Sequence, residues 1–338
     1  MLVSLTAVER YWRRLGFTPG VIDSMQLWAL QRDHARQAAP RPLVFLGASR
    51  TLFGIDMLTV RAMLPGWQPV MLALNGRYPL AALRDLADDD AFRGTVVLDI
   101  DSRGLARYNH AAQAEYVDYY HGQWSPSWRW HRQFLNHWQG ALAIGNPDLA
   151  IVRALQRRAA GQRRPELPTH TTAPDRDSQL DFARVDAPAL AAGFERGLRA
   201  ALEADPPPPA PQWMADLADL PDRGEIELTG SAAVPPCIAR TRQPGGDVIV
   251  YTPPVSGAQD TLAEAAFPRT TYWNPLMARL GVHALIGNDI PALRAIPLPD
   301  TSHMDAHDKP AYTRALLQTL IDRGALRIRI ESGTHQKQ

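Results

Sequence analysis

The sequence predicts an α/β fold, a three-layer sandwich in which helices cover both faces of a central parallel sheet, with a helical insertion or cap. Two observations support this prediction. Short apolar runs alternate with amphipathic stretches over residues 1–105, and a further apolar run, 247–252, precedes a last helical stretch. Strands that alternate with helical segments are typical of βαβ units, whose strands are parallel.

Strands are predicted where short apolar runs end at turn-forming residues. These runs are 42–47, 68–74, 94–100 and 247–252. Their length, and the Gly, Pro, Asn or Asp that ends each run, favour buried strands over helices. Helical periodicity predicts helices over 8–15, 24–37, 51–64, 80–86 and 310–323, with Asp23 as the N-cap of the second.

The chain is expected to have four parts. They are an N-terminal helical segment (1–40), the first half of the sheet domain (41–105), a helix-rich insertion or cap (106–245), and the second half of the sheet domain (246–330), which carries the Asp-x-x-His loop and the last helix. Within the insertion, a proline tract at 206–209 predicts a stiff surface connector. Trp124, Trp128, Trp130 and Trp138 also fall there. Their spacing favours packing in a helical core, with stacking on sugar rings as the alternative.

Composition limits the possible functions. With 338 residues and 45% hydrophobic content, the chain can bury a full core. Its net charge of +1 gives no electrostatic reason to expect a nucleic acid partner. The single cysteine, Cys237, excludes an intramolecular disulfide and any multi-cysteine metal site. The apolar start, 1–8, fits either the remnant of a membrane anchor or signal segment or the first turn of a helix.

The first candidate for chemistry is Ser49, in a turn between a predicted strand and a predicted helix. The apolar run ends in Gly47-Ala48-Ser49. This places the hydroxyl at the carboxyl edge of the sheet, where ligands of open α/β folds bind, and at a helix N-terminus, which favours developing negative charge. A serine in such a turn is also a common N-cap, so the motif alone leaves both interpretations open.

The second candidate is the pair Asp300 and His303, in a loop before the last predicted helix. At this spacing the carboxylate can hold the imidazole Nδ1–H, which leaves Nε2 free to take a proton from a hydroxyl. One alternative is a polar surface turn without a catalytic role. A metal site is another, since Asp305, His307 and Asp308 follow. The metal interpretation is the weaker one because no complementary ligand cluster stands out elsewhere.

Gly-x-Ser after the first strand and Asp-x-x-His near the C-terminus, in this order, resemble the SGNH/GDSL hydrolase superfamily. The resemblance covers roughly residues 40–105 and 245–325. It implies the flavodoxin-like strand order and a catalytic triad of Ser49, Asp300 and His303. It also implies an oxyanion hole formed by the N–H groups of Ser49 and of a glycine after the second strand, which Gly76 of Asn75-Gly76 matches.

Two positions depart from the family pattern. Ala48 stands where the family has Asp, and Asp99-Ile-Asp101-Ser-Arg103 replaces the family's Gly-x-Asn-Asp. Arg50, Asn75, Arg103 and Asn109 are therefore candidates for substrate or oxyanion contacts. The string Gly287-Asn288-Asp289 imitates the missing motif after the wrong strand, so we treat it as coincidental. Asp99 is expected to face a partner within the fold.

Similar departures are familiar in exopolysaccharide acetyltransferase-like bacterial proteins and in membrane-anchored SGNH-like proteins, which the segments 11–19 and 23–28 also resemble. The resemblance implies a serine esterase or O-acyltransferase acting on an acyl ester, plausibly of a carbohydrate, without metal or organic cofactor. It further implies a periplasmic or cell-envelope location, with a membrane anchor or membrane partner upstream; a cytoplasmic location stays open. The alternative function is a non-catalytic SGNH-fold protein that binds glycan or a partner in a polysaccharide-modification or secretion complex.

Overall fold

A computed structural model describes residues 2–37, 39–105, 109, 111–162, 165–203, 241 and 247–326. The proline tract at 206–209 and Cys237 lie outside the described residues. The strands are β1 (Arg41–Leu46), β2 (Trp67–Met71), β3 (Thr95–Asp99), β4 (His170–Thr172), β5 (Ser178–Leu180), β6 (Asp247–Thr252) and β7 (His283–Ile286).

The helices are α1 (Leu2–Arg14), α2 (Met25–His34), α3 (Ser49–Gly54), α4 (Met57–Met63), α5 (Leu80–Ala87), α6 (Ala114–Gly122), α7 (Pro126–Ala141), α8 (Ile151–Ala159), α9 (Ala187–Glu203), α10 (Gly257–Ala266), α11 (Trp273–Leu280), α12 (Pro291–Arg294) and α13 (Lys309–Asp322). In the described part of the chain, no helix has both the length and the hydropathy needed to cross a membrane.

A five-stranded sheet in the order β2-β1-β3-β6-β7 forms the centre of the fold, and every neighbouring pair in it is parallel. β4 and β5 form a separate hairpin. When the five strands of the sheet are counted alone, in chain order, their arrangement is 2-1-3-4-5, the expected flavodoxin-like order. The prediction of a three-layer α/β sandwich is therefore confirmed. The chain passes from β1 to β2 on one side and then to β3 on the other, so the carboxyl end of β1 lies at the topological switch point, where such sheets bind ligands.

Two apolar clusters fill the space between the sheet and its helical layers. Val44 and Leu46 of β1 belong to one cluster, and Leu43 and Phe45 belong to the other. All four side chains are buried. Successive side chains of a strand point to opposite faces, so this continuous apolar run matches a strand covered by helices on both sides.

Three details of the predicted elements are wrong. Residues 51–64 form two helices instead of one, because Asp56 starts α4 by accepting the backbone N–H of Thr59. Ser24, not Asp23, is the N-cap of α2. The fifth strand, β7, was not predicted: only four residues long, it begins with the exposed His283.

Most of the tryptophans expected in a core are not in one. Trp124 packs against the apolar cluster, and its indole N–H donates to Asp33. Trp128, Trp130 and Trp138, however, are 43%, 73% and 44% exposed, so the prediction of core packing is wrong for these three. Their helix, α7, packs on α2 through its other face.

The β4–β5 hairpin, from the predicted insertion, is bound to the sheet by a buried arginine. The Arg176 guanidinium pairs with Asp23 at 2.7 Å and donates to the carbonyls of Met71 and Ala73 at 2.9 Å each. β2 is an edge strand, and Arg176 supplies donors that a further strand would otherwise provide. The insertion thus completes the carboxyl end of β2.

Candidate active site

Ser49 is the first residue of α3 and follows β1 after a two-residue turn. Gly47 makes this turn possible, because a Cβ there would lie 2.6 Å from Thr51 Oγ1 and 2.8 Å from the Asp99 Cβ. The chain therefore passes close to the end of β3 before it enters the helix. As predicted, the serine lies at the carboxyl edge of the sheet, next to the switch point.

The loop that carries Asp300 and His303 is closed by its own carboxylate. Asp300 Oδ1 accepts the backbone N–H groups of Ser302 at 3.0 Å and of His303 at 2.6 Å. Thr301 between them has φ +69, a left-handed conformation that is unfavourable for a β-branched residue. Strain of this kind persists only where surrounding contacts enforce it, and it concentrates at functional sites.

The structure brings the three predicted triad residues together. Asp300 Oδ2 lies 2.8 Å from His303 Nδ1, and His303 Nε2 lies 2.8 Å from Ser49 Oγ. Burial raises the pKa of Asp300, but hydrogen bonds from the His303 side chain and from the loop backbone outweigh burial and hold this pKa below its usual value. Asp300 is therefore a carboxylate at neutral pH, able to fix the imidazole with Nε2 toward Ser49.

Two phenylalanines flank the imidazole. The Phe53 ring, on α3, lies edge-on to His303 at 6.1 Å between centroids. The Phe194 ring, on α9, is tilted by 46° against His303 at 5.7 Å. Helix α9 thus forms a wall of the site, a contribution from the predicted insertion that no local sequence motif indicates.

Gly76, the expected second oxyanion donor, lies in an exposed turn beside Gly47. The chain continues past β2 with Leu74 N–H donating to the Gly47 carbonyl at 3.1 Å, and a bridge between Leu74 and Arg77 closes the turn. Asn75 and Gly76 form its tip, with φ +68 at Gly76. The turn stands at the same edge of the sheet as Ser49.

The other candidate contacts have partners within the fold. Arg50 Nη2 lies 2.8 Å from Asp101 Oδ2 and 3.5 Å from Asp99 Oδ1. Asn109 donates its side-chain N–H to the Arg103 carbonyl at 2.8 Å. The Arg103 guanidinium lies beside Gly197 of α9. These described contacts tie Arg50 and Asn109 to the loop after β3 and bring Arg103 to α9, and none of them involves Ser49 or His303.

A buried polar network supports the serine turn, and sequence reasoning anticipated only part of it. Asp99 faces partners in the fold, as expected: Thr51 Oγ1 donates to its Oδ2 at 2.9 Å. Thr51 Oγ1 is also 2.8 Å from the Tyr251 hydroxyl, which was not anticipated. Burial raises the pKa of Asp99 to about 6; Arg50 opposes this rise and Asp101 adds to it.

The string Gly287-Asn288-Asp289, whose resemblance to the family motif we consider coincidental, has a structural role. The Asn288 side chain accepts the Val255 N–H at 2.9 Å and donates to the Val255 carbonyl at 3.0 Å. These two hydrogen bonds join the chain just after β6 to the chain just after β7, where the backbone pairing of the two strands has ended. In the next loop His307 pairs with Asp305 at 2.8 Å and with Asp308 at 3.1 Å.

No model of a known protein family matches this chain, and no curated protein matches it significantly. The geometry of the site and the residues of the two motifs are therefore the basis for assigning a function.

Proposed function

We propose that the protein is a serine esterase or O-acyltransferase of the SGNH type, acting on an O-acyl group such as an acetyl ester of a carbohydrate. The observation that carries the proposal is the continuous chain of hydrogen bonds from Asp300 through His303 to Ser49, at 2.8 Å for both steps. These three groups lie at the sheet edge where α/β folds bind ligands.

In the acylation step, Ser49 Oγ attacks the carbonyl carbon of the ester while its proton passes to His303 Nε2. The carbonyl oxygen becomes an oxyanion, for which the N–H groups of Ser49 and Gly76 are the proposed donors. The imidazolium then protonates the leaving alcohol as the ester C–O bond breaks. Asp300 stays ionised throughout and stabilises the imidazolium.

In the deacylation step, a water or an acceptor hydroxyl attacks the acyl-serine. His303 removes the proton from the attacking oxygen and then returns a proton to Ser49 Oγ, which regenerates the free enzyme. Water produces a carboxylic acid, and an acceptor alcohol produces a new ester. The same three side chains serve both outcomes, so the class of acceptor decides between hydrolysis and transfer.

A second function is favoured by the loop after β3. There the family position of the third oxyanion donor is filled by Asp99 and Asp101, both engaged with Arg50. Loss of one oxyanion donor costs about 10²–10³ in rate. A non-catalytic SGNH-fold protein that binds glycan, or a partner in a polysaccharide-modification complex, would tolerate this replacement.

A fluorophosphonate probe on the full chain separates the two functions. An activated serine attacks the phosphorus, displaces fluoride and becomes covalently labelled, so the proposal predicts stoichiometric labelling that Ser49→Ala abolishes. Ser127→Ala, at an exposed position of α7, serves as the control and should leave the labelling intact. If the folded wild type stays unlabelled, the binding function is favoured and the esterase proposal fails.

A further inference from the structure

Helix α7 has its polar and apolar sides reversed relative to the usual amphipathic helix. Its buried side carries Arg132 and Asn136, 6% and 8% exposed, joined by a hydrogen bond of 2.7 Å. Its outer side carries Trp130 and Phe134, 73% and 71% exposed. A surface helix ordinarily buries its apolar stripe. This reversal indicates that the outer side of α7 contacts an apolar partner outside the fold.

The apolar surface continues from α7 onto α8. Trp138 of α7 and Val152 of α8 line one shallow groove, together with Leu135 and Ile144. Ile151, Val152 and Leu155 of α8 are 78%, 65% and 62% exposed. We call this surface the outer face; it consists of Trp130, Phe134, Trp138, Ile151, Val152 and Leu155. Contiguous exposed apolar patches of this kind mark interaction sites.

The charged side chains of α8 are all positive: Arg153, Arg157 and Arg158. On α8, Arg153 lines the same groove as Trp138 and Val152, and Arg158 lies beside the stripe of Ile151 and Leu155 at a helical period. Arg157 donates to the Asp148 carbonyl at 2.6 Å, which joins α8 to the loop before it. Arg13 of α1 donates to the carbonyl of Ala141, at the end of α7, but its charge is balanced by Glu9 at 2.5 Å, so the positive charge comes from α8. The partner of this surface should therefore be both apolar and negatively charged.

We propose that the outer face lies in the surface layer of an anionic lipid bilayer. An amphipathic helix with an apolar stripe and arginines on its polar side is suited to the boundary between headgroups and acyl chains. Exposed tryptophans beside it fit the same boundary, where their amphipathic rings are favoured. The inference is independent of the proposed esterase function, because none of these residues belongs to the triad or its supporting network.

A second copy of the chain is the less suitable partner. A two-fold contact through the outer face would bring each patch against itself, including Arg153 and Arg158 against their own copies. Like charges at such an interface oppose association, whereas anionic headgroups attract them. Each arginine near an anionic surface contributes about a fivefold gain in affinity. The arginines thus favour the bilayer over the dimer.

Co-sedimentation of the full chain with vesicles tests the proposal. Wild-type protein should pellet with vesicles that mix phosphatidylglycerol and phosphatidylcholine, and far less with phosphatidylcholine alone. Phe134→Glu should abolish pelleting, because it places a charge in the apolar stripe. The matched control is Leu58→Glu: Leu58 is 72% exposed, but on α4 in the other helical layer. It should bind like the wild type.

The charge requirement is tested separately. Arg153→Gln with Arg158→Gln should weaken binding to the anionic vesicles by about 10- to 30-fold, the product of two arginine contributions. Arg314→Gln, at an exposed position of α13, should leave binding unchanged. Circular dichroism of each variant checks that the fold is intact.

Three results would overturn the proposal. The first is wild-type protein that stays in the supernatant with anionic vesicles. The second is a loss of binding that Leu58→Glu or Arg314→Gln reproduces. The third is a dimer in sedimentation velocity that Phe134→Glu converts to a monomer, without vesicle binding by the wild type; the outer face would then be a contact between copies of this chain. Ester hydrolysis in vesicle-free buffer reports separately on the proposed function.

Discussion

The Thr51 hydroxyl donates a hydrogen bond of 2.9 Å to the buried Asp99 carboxylate, which ties the helix that begins at Ser49 to the end of β3. The same hydroxyl lies 2.8 Å from the Tyr251 hydroxyl on β6. The serine turn at the end of β1 is thus tied to the neighbouring strand β3 and to β6, the strand beyond it. A reactive side chain needs such support, because small displacements of a catalytic group are costly in rate.

Gly47→Ala should disturb this support. The new methyl group would meet Thr51 Oγ1 at 2.6 Å and the Asp99 Cβ at 2.8 Å, so the turn or the Thr51–Asp99 contact must move. We expect a loss of about 1–3 kcal/mol in the free energy of unfolding, typical of overpacking, and a loss of esterase activity. Denaturant titration measures the first, and ester hydrolysis the second.

The control is Gly122→Ala, where a Cβ would meet nothing within 4 Å at the end of α6. That variant should be unchanged or slightly more stable, since alanine favours helix over glycine. Equal stability of Gly47→Ala and Gly122→Ala would contradict the close contact at Gly47.

Asp99 predicts a dependence of stability on pH. Its pKa is raised from 3.8 to about 6 in the folded protein, so between these values the folded state holds a proton that the unfolded state has lost. Stability therefore falls as pH rises across this window, by up to about 3 kcal/mol from this group alone. Asp99→Asn, which keeps an acceptor for Thr51, should remove that fall.

The measurement is urea unfolding at several pH values from about 4 to about 7. Asp260→Asn, at an exposed position on α10, is the control and should follow the wild-type profile. Asp300 acts in the opposite direction and at lower pH: its pKa is lowered, so its contribution to stability is lost as pH falls below 3.8. If the free energy of unfolding of the wild type did not change above pH 4, the raised pKa of Asp99 would be excluded.

Local sequence signals were sufficient for most of the sheet and for the three proposed triad residues that the structure brings together. Apolar runs identified four of the five parallel strands, because a strand covered on both faces is apolar throughout. Gly-Ala-Ser at the end of such a run, and Asp-x-x-His in a single loop, are motifs whose parts are adjacent in the chain. For that reason Ser49 and the Asp300–His303 pair could be predicted from the sequence alone.

What the sequence did not reveal depends on contacts between distant segments. Phe194 lies against His303 only because α9 packs beside α10. Arg176 binds Asp23 across a separation of 153 residues. The outward orientation of Trp130 could not be read from spacing either, since the same helical period describes a stripe that faces the core and one that faces outward.

Phe194→Ala should change the acyl preference of the proposed esterase. The Phe194 ring lies 5.7 Å from the His303 ring, and its removal opens space beside the imidazole. We expect kcat/KM for a butyryl ester to rise relative to that for an acetyl ester, because a larger acyl group gains room. Leu190→Ala, on the same helix at a position 39% exposed, is the control. A butyryl-to-acetyl ratio that changes equally in both variants would argue against a role of Phe194 in the site.

The proposed triad predicts a graded loss of activity. Ser49→Ala and His303→Ala should each lower kcat for a short-chain ester by about 10⁶-fold, because the nucleophile and its base act as one unit. Asp300→Asn should cost about 10⁴-fold, since the loop backbone still positions the residue while the charge that orients the imidazole is gone.

His307→Ala is the matched control for this series. His307 lies four residues further along the chain and is 77% exposed in its side chain, paired with Asp305. The variant should keep wild-type kcat, and all four proteins should share one circular dichroism spectrum. Ser49 is small and its hydroxyl partner is His303 alone among the described contacts, so Ser49→Ala removes the nucleophile with little loss of packing. Ester hydrolysis that survives Ser49→Ala on folded protein would exclude Ser49 as the nucleophile, whatever the distances between the three side chains.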